Sequence, residues 1–127
     1  MERRPQIYFC YDRSDIMKVK RLYQLLPHED FKLWMDFEDI SVGEKWQERI
    51  GRAIKSSDCI LIFLSSHSVS RREFISYIRY AIDILQTSLH SNTSYIVIRL
   101  EFCYIPEILH DYPYVDIIDV DLLVVSL

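Results

Sequence analysis

Glycine is nearly missing from this chain: Gly43 and Gly51 are the two in 127 residues. Neither a Gly-rich dinucleotide turn nor a Walker-type phosphate loop can be assembled from two glycines so placed. Cysteine is scarce and odd in number, with Cys10, Cys59 and Cys103 widely spaced in apolar runs. Free buried thiols of a reducing compartment are therefore expected, not a disulfide framework. An excess of positive charge is missing as well, since 15 Lys and Arg stand against 19 Asp and Glu, a net charge of −4. No summed positive field favours a nucleic-acid backbone, and DNA or RNA is not expected as a partner. Long hydrophobic runs are absent too: the unbroken run Cys59 to Leu64 is far shorter than the roughly 20 residues of a membrane span. Met1 to Gln6 is polar and leads into a strand-like run instead of a targeting segment, so no membrane contact and a cytoplasmic location are expected.

What is present is globular. Half of the residues are hydrophobic (50%) and 27% are charged, a balance found in ordinary domains. The length suits a single domain over 1–127, and at that size a core can hold without metal or disulfide staples. Asp121 to Leu127 is an apolar stretch that stops without a polar finish, the expectation for the N-terminal part of a longer protein.

Hydrophobic periodicity supplies the elements. Gln6 to Tyr11 is a short β-rich run ending at Asp12-Arg13-Ser14-Asp15, which predicts strand one. Ser14 is placed to cap a helix with Ile16, Val19, Leu22, Tyr23 and Leu26 at helical spacing, stopped by Pro27. Phe31 to Asp36 predicts strand two. Ser41-Val42-Gly43-Glu44 has capping-box spacing, so helix two is expected from near Val42, with Trp46, Ile50, Ala53 and Ile54 facing inward. Cys59 to Leu64 is apolar on both faces, as a central parallel strand is when helices cover it on both sides. Ser70-Arg71-Arg72-Glu73 repeats the capping-box spacing before a stripe of Phe74, Ile78, Ala81, Ile82 and Leu85. Tyr95 to Leu100 and Tyr114 to Ile118 predict strands four and five. Strands alternating with helices imply right-handed crossovers. The expected fold is α/β: a three-layer flavodoxin-like domain with a five-stranded parallel sheet and helices on both faces.

In such a fold ligands settle beyond the carboxyl ends of the strands, where strand order reverses. That edge would carry Asp12-Arg13-Ser14, Asp36 to Ser41, Ser65-Ser66-His67 and the loop after Leu100. Its mixed charge and hydroxyls suit a polar, partly aromatic ligand. A phosphate-accepting receiver needs an Asp after strand three, where this chain has Ser65-Ser66. His28, His67, His90 and His110 are scattered, with no His/Cys/Glu cluster at ligand spacing, so no metal is expected. No nucleophile elbow surrounds Ser65 or Ser66, whose hydroxyls are expected to bond to the loop backbone.

Three segments in order carry a resemblance: Ile7-Tyr8-Phe9-Cys10-Tyr11 with Arg13; Trp34, Asp36, Asp39, Gly43 and Trp46; and Ser57-Asp58 to Leu64-Ser65. Together they resemble the boxes of the Toll/interleukin-1 receptor (TIR) domain. Ser65 to Arg72 and Ile78 to Asp83 are most similar to its bacterial branch. The resemblance implies a module of immune or antiphage systems that senses infection through a fused or partner sensor, self-associates with other TIR domains, and takes NAD+ as substrate or ligand. Contacts between domains are implied for the loop Phe37 to Gly43, where Phe37 and Ile40 are the apolar candidates. Catalytic members cleave the nicotinamide glycosidic bond through an oxocarbenium-like ribose, which a carboxylate beneath it stabilises or traps.

This sequence departs from that pattern at the third helix. The expected Glu position falls on Tyr77 when the Ile78, Ala81, Ile82 stripe is the anchor, and on Ile78 when Phe74 is the anchor. The nearest carboxylate is Glu73, one turn earlier, roughly 6 Å along the axis. It stands either as a substitute in the cleft or as the closing residue of a capping box with Ser70. Tyr77 stands either as a stacking surface or as packing. Nucleotide-binding candidates are Tyr11, Asp12, Arg13, Asp36 and Ser65; for Asp12 and Arg13 an exposed loop pair, and for Asp36 a turn-stabilising bond, are the alternatives. Two functions stay open: a catalytically degenerate module that binds a nucleotide or another TIR domain, and an NAD+ glycohydrolase using Glu73 or a partner chain's carboxylate. A nucleoside deoxyribosyltransferase-like enzyme is a third, and it too needs a positioned Glu.

Overall fold

The computed structural model describes residues 4–35, 46–86 and 92–117, with the backbone alone for Trp46 and Gln47. Five strands form one sheet: β1 (Gln6–Cys10), β2 (Lys32–Met35), β3 (Cys59–Leu64), β4 (Ser94–Arg99) and β5 (Tyr114–Asp116). They lie in the order β2-β1-β3-β4-β5, and every pairing is parallel. Between them run α1 (Ile16–Leu25), α2 (Trp46–Lys55) and α3 (Arg72–Gln86), with single 3-10 turns at Arg13–Asp15, Ser68–Ser70 and Glu107–Leu109. The expected α/β architecture is the one observed.

Side chains alternate across a strand, and here the alternation divides the core in two. Tyr8, Cys10, Ile60, Ile62, Leu64 and Val97 face α2 and α3, whose Ile50, Ala53, Ile54, Phe74, Ile78, Ala81, Ile82 and Leu85 join the same cluster. Phe9, Tyr11, Leu61, Phe63 and Ile98 face the other way, onto Val19 and Leu22 of α1. The five residues of the stripe read from the third helix are its buried residues. Gly51 sits where α2 and α3 meet: a Cβ there would lie 2.9 Å from Ile84 Cδ1 and 3.0 Å from Tyr80 Oη.

Two of the three expected helix starts need correction. Asp12, not Ser14, caps the segment after β1: its carboxylate accepts from the Ser14 amide and hydroxyl. The turn at Arg13–Asp15 then intervenes before α1, whose own N-cap residue makes no side-chain capping bond. A buried acceptor with two donors close in sequence outcompetes an exposed serine. At α3, Ser70 belongs to the preceding 3-10 turn and donates its hydroxyl to the His67 carbonyl at 2.8 Å; the helix starts at Arg72 and its first bond runs to the Arg71 carbonyl, so Ser70 is one residue too early to be the cap of a capping box with Glu73. Asp36, the loop Phe37 to Gly43 and the start expected near Val42 lie outside the described residues, as does the Trp46 side chain. No helix among the described residues is long and apolar enough to cross a membrane.

Candidate functional site

Strand order reverses between β1 and β3. The chain leaves β1 outward to β2 and returns on the far side of β1 as β3, so the segments after Cys10 and Leu64 diverge and leave a crevice at their carboxyl ends. Those segments are Tyr11 to Asp15 and Ser65 to Arg71, and the loop after β4 joins them.

Side-chain interactions hold this edge. Ser65, buried at the end of β3, donates its hydroxyl to Asp15 at 2.8 Å. The Ser65 hydroxyl also accepts the Ser68 amide at 3.1 Å, while the Ser68 hydroxyl accepts the Ser65 amide at 2.9 Å. Ser66 donates both its amide and its hydroxyl to Glu101, at 2.9 and 2.8 Å. Arg71 lies 3.4 Å from Asp12 and 4.0 Å from Glu73. The serines therefore bond to carboxylates as well as to the loop backbone, and the segments after three different strands are tied together.

Burial and these bonds set the electrostatics. Desolvation pushes the Asp15 carboxyl above the ordinary Asp range; the Ser65 bond opposes that, and Asp12 adds to it by repulsion. The two bonds from Ser66 hold the Glu101 carboxyl below its usual range.

The nucleotide-binding candidates divide accordingly. Tyr11, Asp12 and Ser65 are buried at the crevice and Arg13 is exposed beside it. Asp12 and Arg13 are thus not an exposed loop pair, because Asp12 is only 6% exposed and carries the cap. Asp36 lies outside the described residues. Asp15, Arg71 and Glu101 are participants that the sequence reading did not select. Each stands next to a selected segment, but its partner is distant in sequence, 50 residues for Asp15 and Ser65.

The two candidates on α3 point to different surroundings. Tyr77 is half-buried, with its hydroxyl against that of Tyr8 in the middle of β1 and its ring edge-on to Phe74 at 6.3 Å. It also bonds the buried Cys10 thiol, which burial pushes far up. Tyr8 in turn stacks on Trp34 with centroids 4.9 Å apart. Ile78, the other candidate for the expected Glu position, is fully buried in the core. Glu73 is 80% exposed in the first turn of α3, with Arg71 as its charged neighbour.

Chemically the crevice offers hydroxyls, one guanidinium bracketed by carboxylates, and backbone. Ser65 has a carboxylate partner but no histidine between them, so the relay that activates a serine nucleophile is not assembled. His28 and His110 are exposed and bond to the carbonyls of Tyr23 and Ile105. Among the described residues no group of three His, Cys, Asp or Glu could hold a metal ion.

A sequence profile of the TIR domain matches residues 7–122. Of solved structures, the TIR domain of the Toll-related receptor TRR-2 from the lower metazoan Hydra magnipapillata is similar with a TM-score of 0.59 and 21% identity, over 92% of this chain and 87% of that one. The TIR domains of the activated Roq1 resistosome, which directly recognizes the pathogen effector XopQ, are similar with a TM-score of 0.57 and 14% identity, over 74% of this chain and 57% of that one. At these identities the likeness is one of fold. No curated protein matches the chain.

Proposed function

The chain belongs to the TIR domain family, and from that premise we propose that it is a signalling or effector module of a bacterial antiphage system. In this reading it works in the cytoplasm, assembles with other TIR domains through the loop Phe37 to Gly43, and answers to a fused or partner sensor. Its β1/β3 crevice takes an NAD+-like nucleotide without the carboxylate that cleavage requires.

The surroundings of Tyr77 carry the non-catalytic part of this reading. Breaking a glycosidic bond builds positive charge on the ribose, and a fixed carboxylate facing that charge lowers the barrier. Tyr77 carries no such charge, and its hydroxyl is turned to Tyr8 and Cys10 in the core. Assembly is supported by family membership and by the likeness to the TIR domains of an activated resistosome. One observation favours the second reading, an active NAD+ glycohydrolase: Glu73 stands at the same end of α3 as Arg71, which reaches Asp12 in the crevice.

Incubation of concentrated protein with NAD+, with nicotinamide read by chromatography, separates the two. The expected result is no release from wild type, with NAD+ binding detected by calorimetry and weakened by Arg71→Gln. Release that disappears in Glu73→Gln would overturn the first reading and establish the second. Release gained by Tyr77→Glu alone would support the alignment together with the degeneracy. Sedimentation of wild type and Phe37→Ala with Ile40→Ala checks assembly, with weaker self-association expected of the variant.

A further inference from the structure

Arg71 is the guanidinium that reaches across the β1/β3 crevice, and the carboxylate it reaches is Asp12. We propose that Asp12 competes with the ligand's diphosphate for Arg71, which makes the crevice selective for ligands carrying that anion over their unphosphorylated counterparts. That role rests on the nucleotide reading of the crevice, and it makes Asp12 a rival of the ligand, not one of its contacts.

Two held backbones build the contact. The Asp12 carboxylate accepts the Ser14 amide at 3.1 Å and the Ser14 hydroxyl, and its carbonyl accepts the Asp15 amide at 2.9 Å. Arg71 stands between the 3-10 turn at Ser68–Ser70 and α3. Its amide donates to the Ser68 carbonyl at 3.0 Å, and its carbonyl accepts the Ile75 amide at 3.1 Å. Both main chains are fixed, so the pair closes the crevice between segments 59 residues apart in sequence.

The distances decide which partner wins. Arg71 Nη1 lies 3.4 and 3.5 Å from the two Asp12 oxygens, longer than the roughly 2.7–2.9 Å of a charge-assisted bond. A guanidinium that is 39% exposed pairs loosely in this way because water screens it. A diphosphate offers its planar fork the two short parallel bonds that this contact lacks. Asp12 gives way readily, since the two Ser14 donors keep it satisfied when Arg71 leaves. Its charge stays behind in a buried position, and repulsion from it subtracts from what an incoming phosphate gains. Glu73, the other carboxylate beside Arg71, stands in solvent at 4.0 Å and is screened. A ligand without phosphates brings nothing to replace Asp12 on Arg71.

Titration calorimetry with NAD+ and, separately, with nicotinamide riboside, which carries no phosphate, tests this role. Asp12→Asn keeps the side-chain length and a capping oxygen for Ser14, so the circular dichroism spectrum should be unchanged. The variant should bind NAD+ roughly fivefold more tightly than wild type. Nicotinamide riboside should bind wild type more weakly than NAD+ does and show no such gain, a contrast that a merely loosened protein would not produce. In an Arg71→Gln background Asp12→Asn should lose most of its effect. Lys32→Gln with Arg52→Gln, which line an open hollow between β2 and α2, should leave NAD+ affinity as it was. The role is overturned if Asp12→Asn binds NAD+ no more tightly than wild type, if nicotinamide riboside gains equally, or if the whole gain persists without Arg71. Should wild type and Asp12→Asn both fail to bind NAD+, or should binding vanish in the Lys32, Arg52 variant, the nucleotide reading of the crevice falls first and the role of Asp12 with it.

Discussion

Asp15 shows how one buried carboxyl can set a pH response. Burial raises its pKa, so between the ordinary Asp range and that raised value the unfolded chain is ionised while the folded chain keeps its proton. Stability from this group is full below the ordinary range and is lost as pH rises through the folded value. Asp15→Asn removes the titration and keeps an acceptor for Ser65. Its melting temperature relative to wild type should therefore be more favourable at about pH 7 than at about pH 4, as differential scanning calorimetry would show. A difference that is constant with pH would count against Asp15 as the cause. Ser65→Ala is a separate test: it leaves buried Asp15 without its 2.8 Å donor, and a loss of about 1–3 kcal/mol is expected in denaturant unfolding. None of this was legible in the sequence, where Ser65 looked like a loop serine and Asp15 like a polar residue following a strand.

At the scale of elements, α2 and α3 meet at Gly51. In a helix interior Gly→Ala gains about 1 kcal/mol, but here the added Cβ meets Ile84 Cδ1 and Tyr80 Oη at 2.9 and 3.0 Å. Both are ends of side chains able to shift, so Gly51→Ala should change stability by less than about 1 kcal/mol, whereas Gly51→Leu should cost about 1–3 kcal/mol by overpacking. Urea unfolding of both variants measures the contrast. The α3 stripe is simpler: Ile78→Ala empties a fully buried position and should cost about 2–5 kcal/mol. At the sheet edge, β5 is three exposed residues long and is pinned by Arg99, which holds Asp116 with two bonds of 2.5 and 2.8 Å. That pairing lowers the Asp116 pKa, so its contribution is present above the ordinary Asp range and is lost as pH falls through the folded value. Hydrogen exchange should show β5 amides losing protection on acidification before those of β3, and Asp116→Asn should remove the difference.

Across the whole molecule, the sheet order β2-β1-β3-β4-β5 creates two distinct ends. The carboxyl end of β1 and β3 gathers Asp12, Asp15, Ser65, Ser66, Arg71 and Glu101 into one bonded edge. The opposite end holds the cationic hollow of Lys32, Arg49 and Arg52. Sites separated in this way should respond independently. Arg71→Gln and the Lys32→Gln, Arg52→Gln pair should give additive effects on thermal stability, within about 0.5 kcal/mol, as distant positions do. A larger coupling, measured in a double-mutant cycle, would mean that the two ends are connected through the sheet.

The sequence by itself determined the fold class, the position of every described strand to within two residues, and the buried stripe of α3. Those features are repeated along the chain: alternation in strands, a 3.6-residue period in helices, and a run apolar on both faces at β3. Each repeat is averaged over many residues, and no single side chain decides it. The ties across the crevice and the basic hollow were decided by tertiary structure alone. Asp15 finds Ser65, and Lys32 comes beside Arg52, only after the parallel sheet has brought distant segments together. A pairwise contact between distant residues leaves no period in the sequence, so its chemistry begins with the fold.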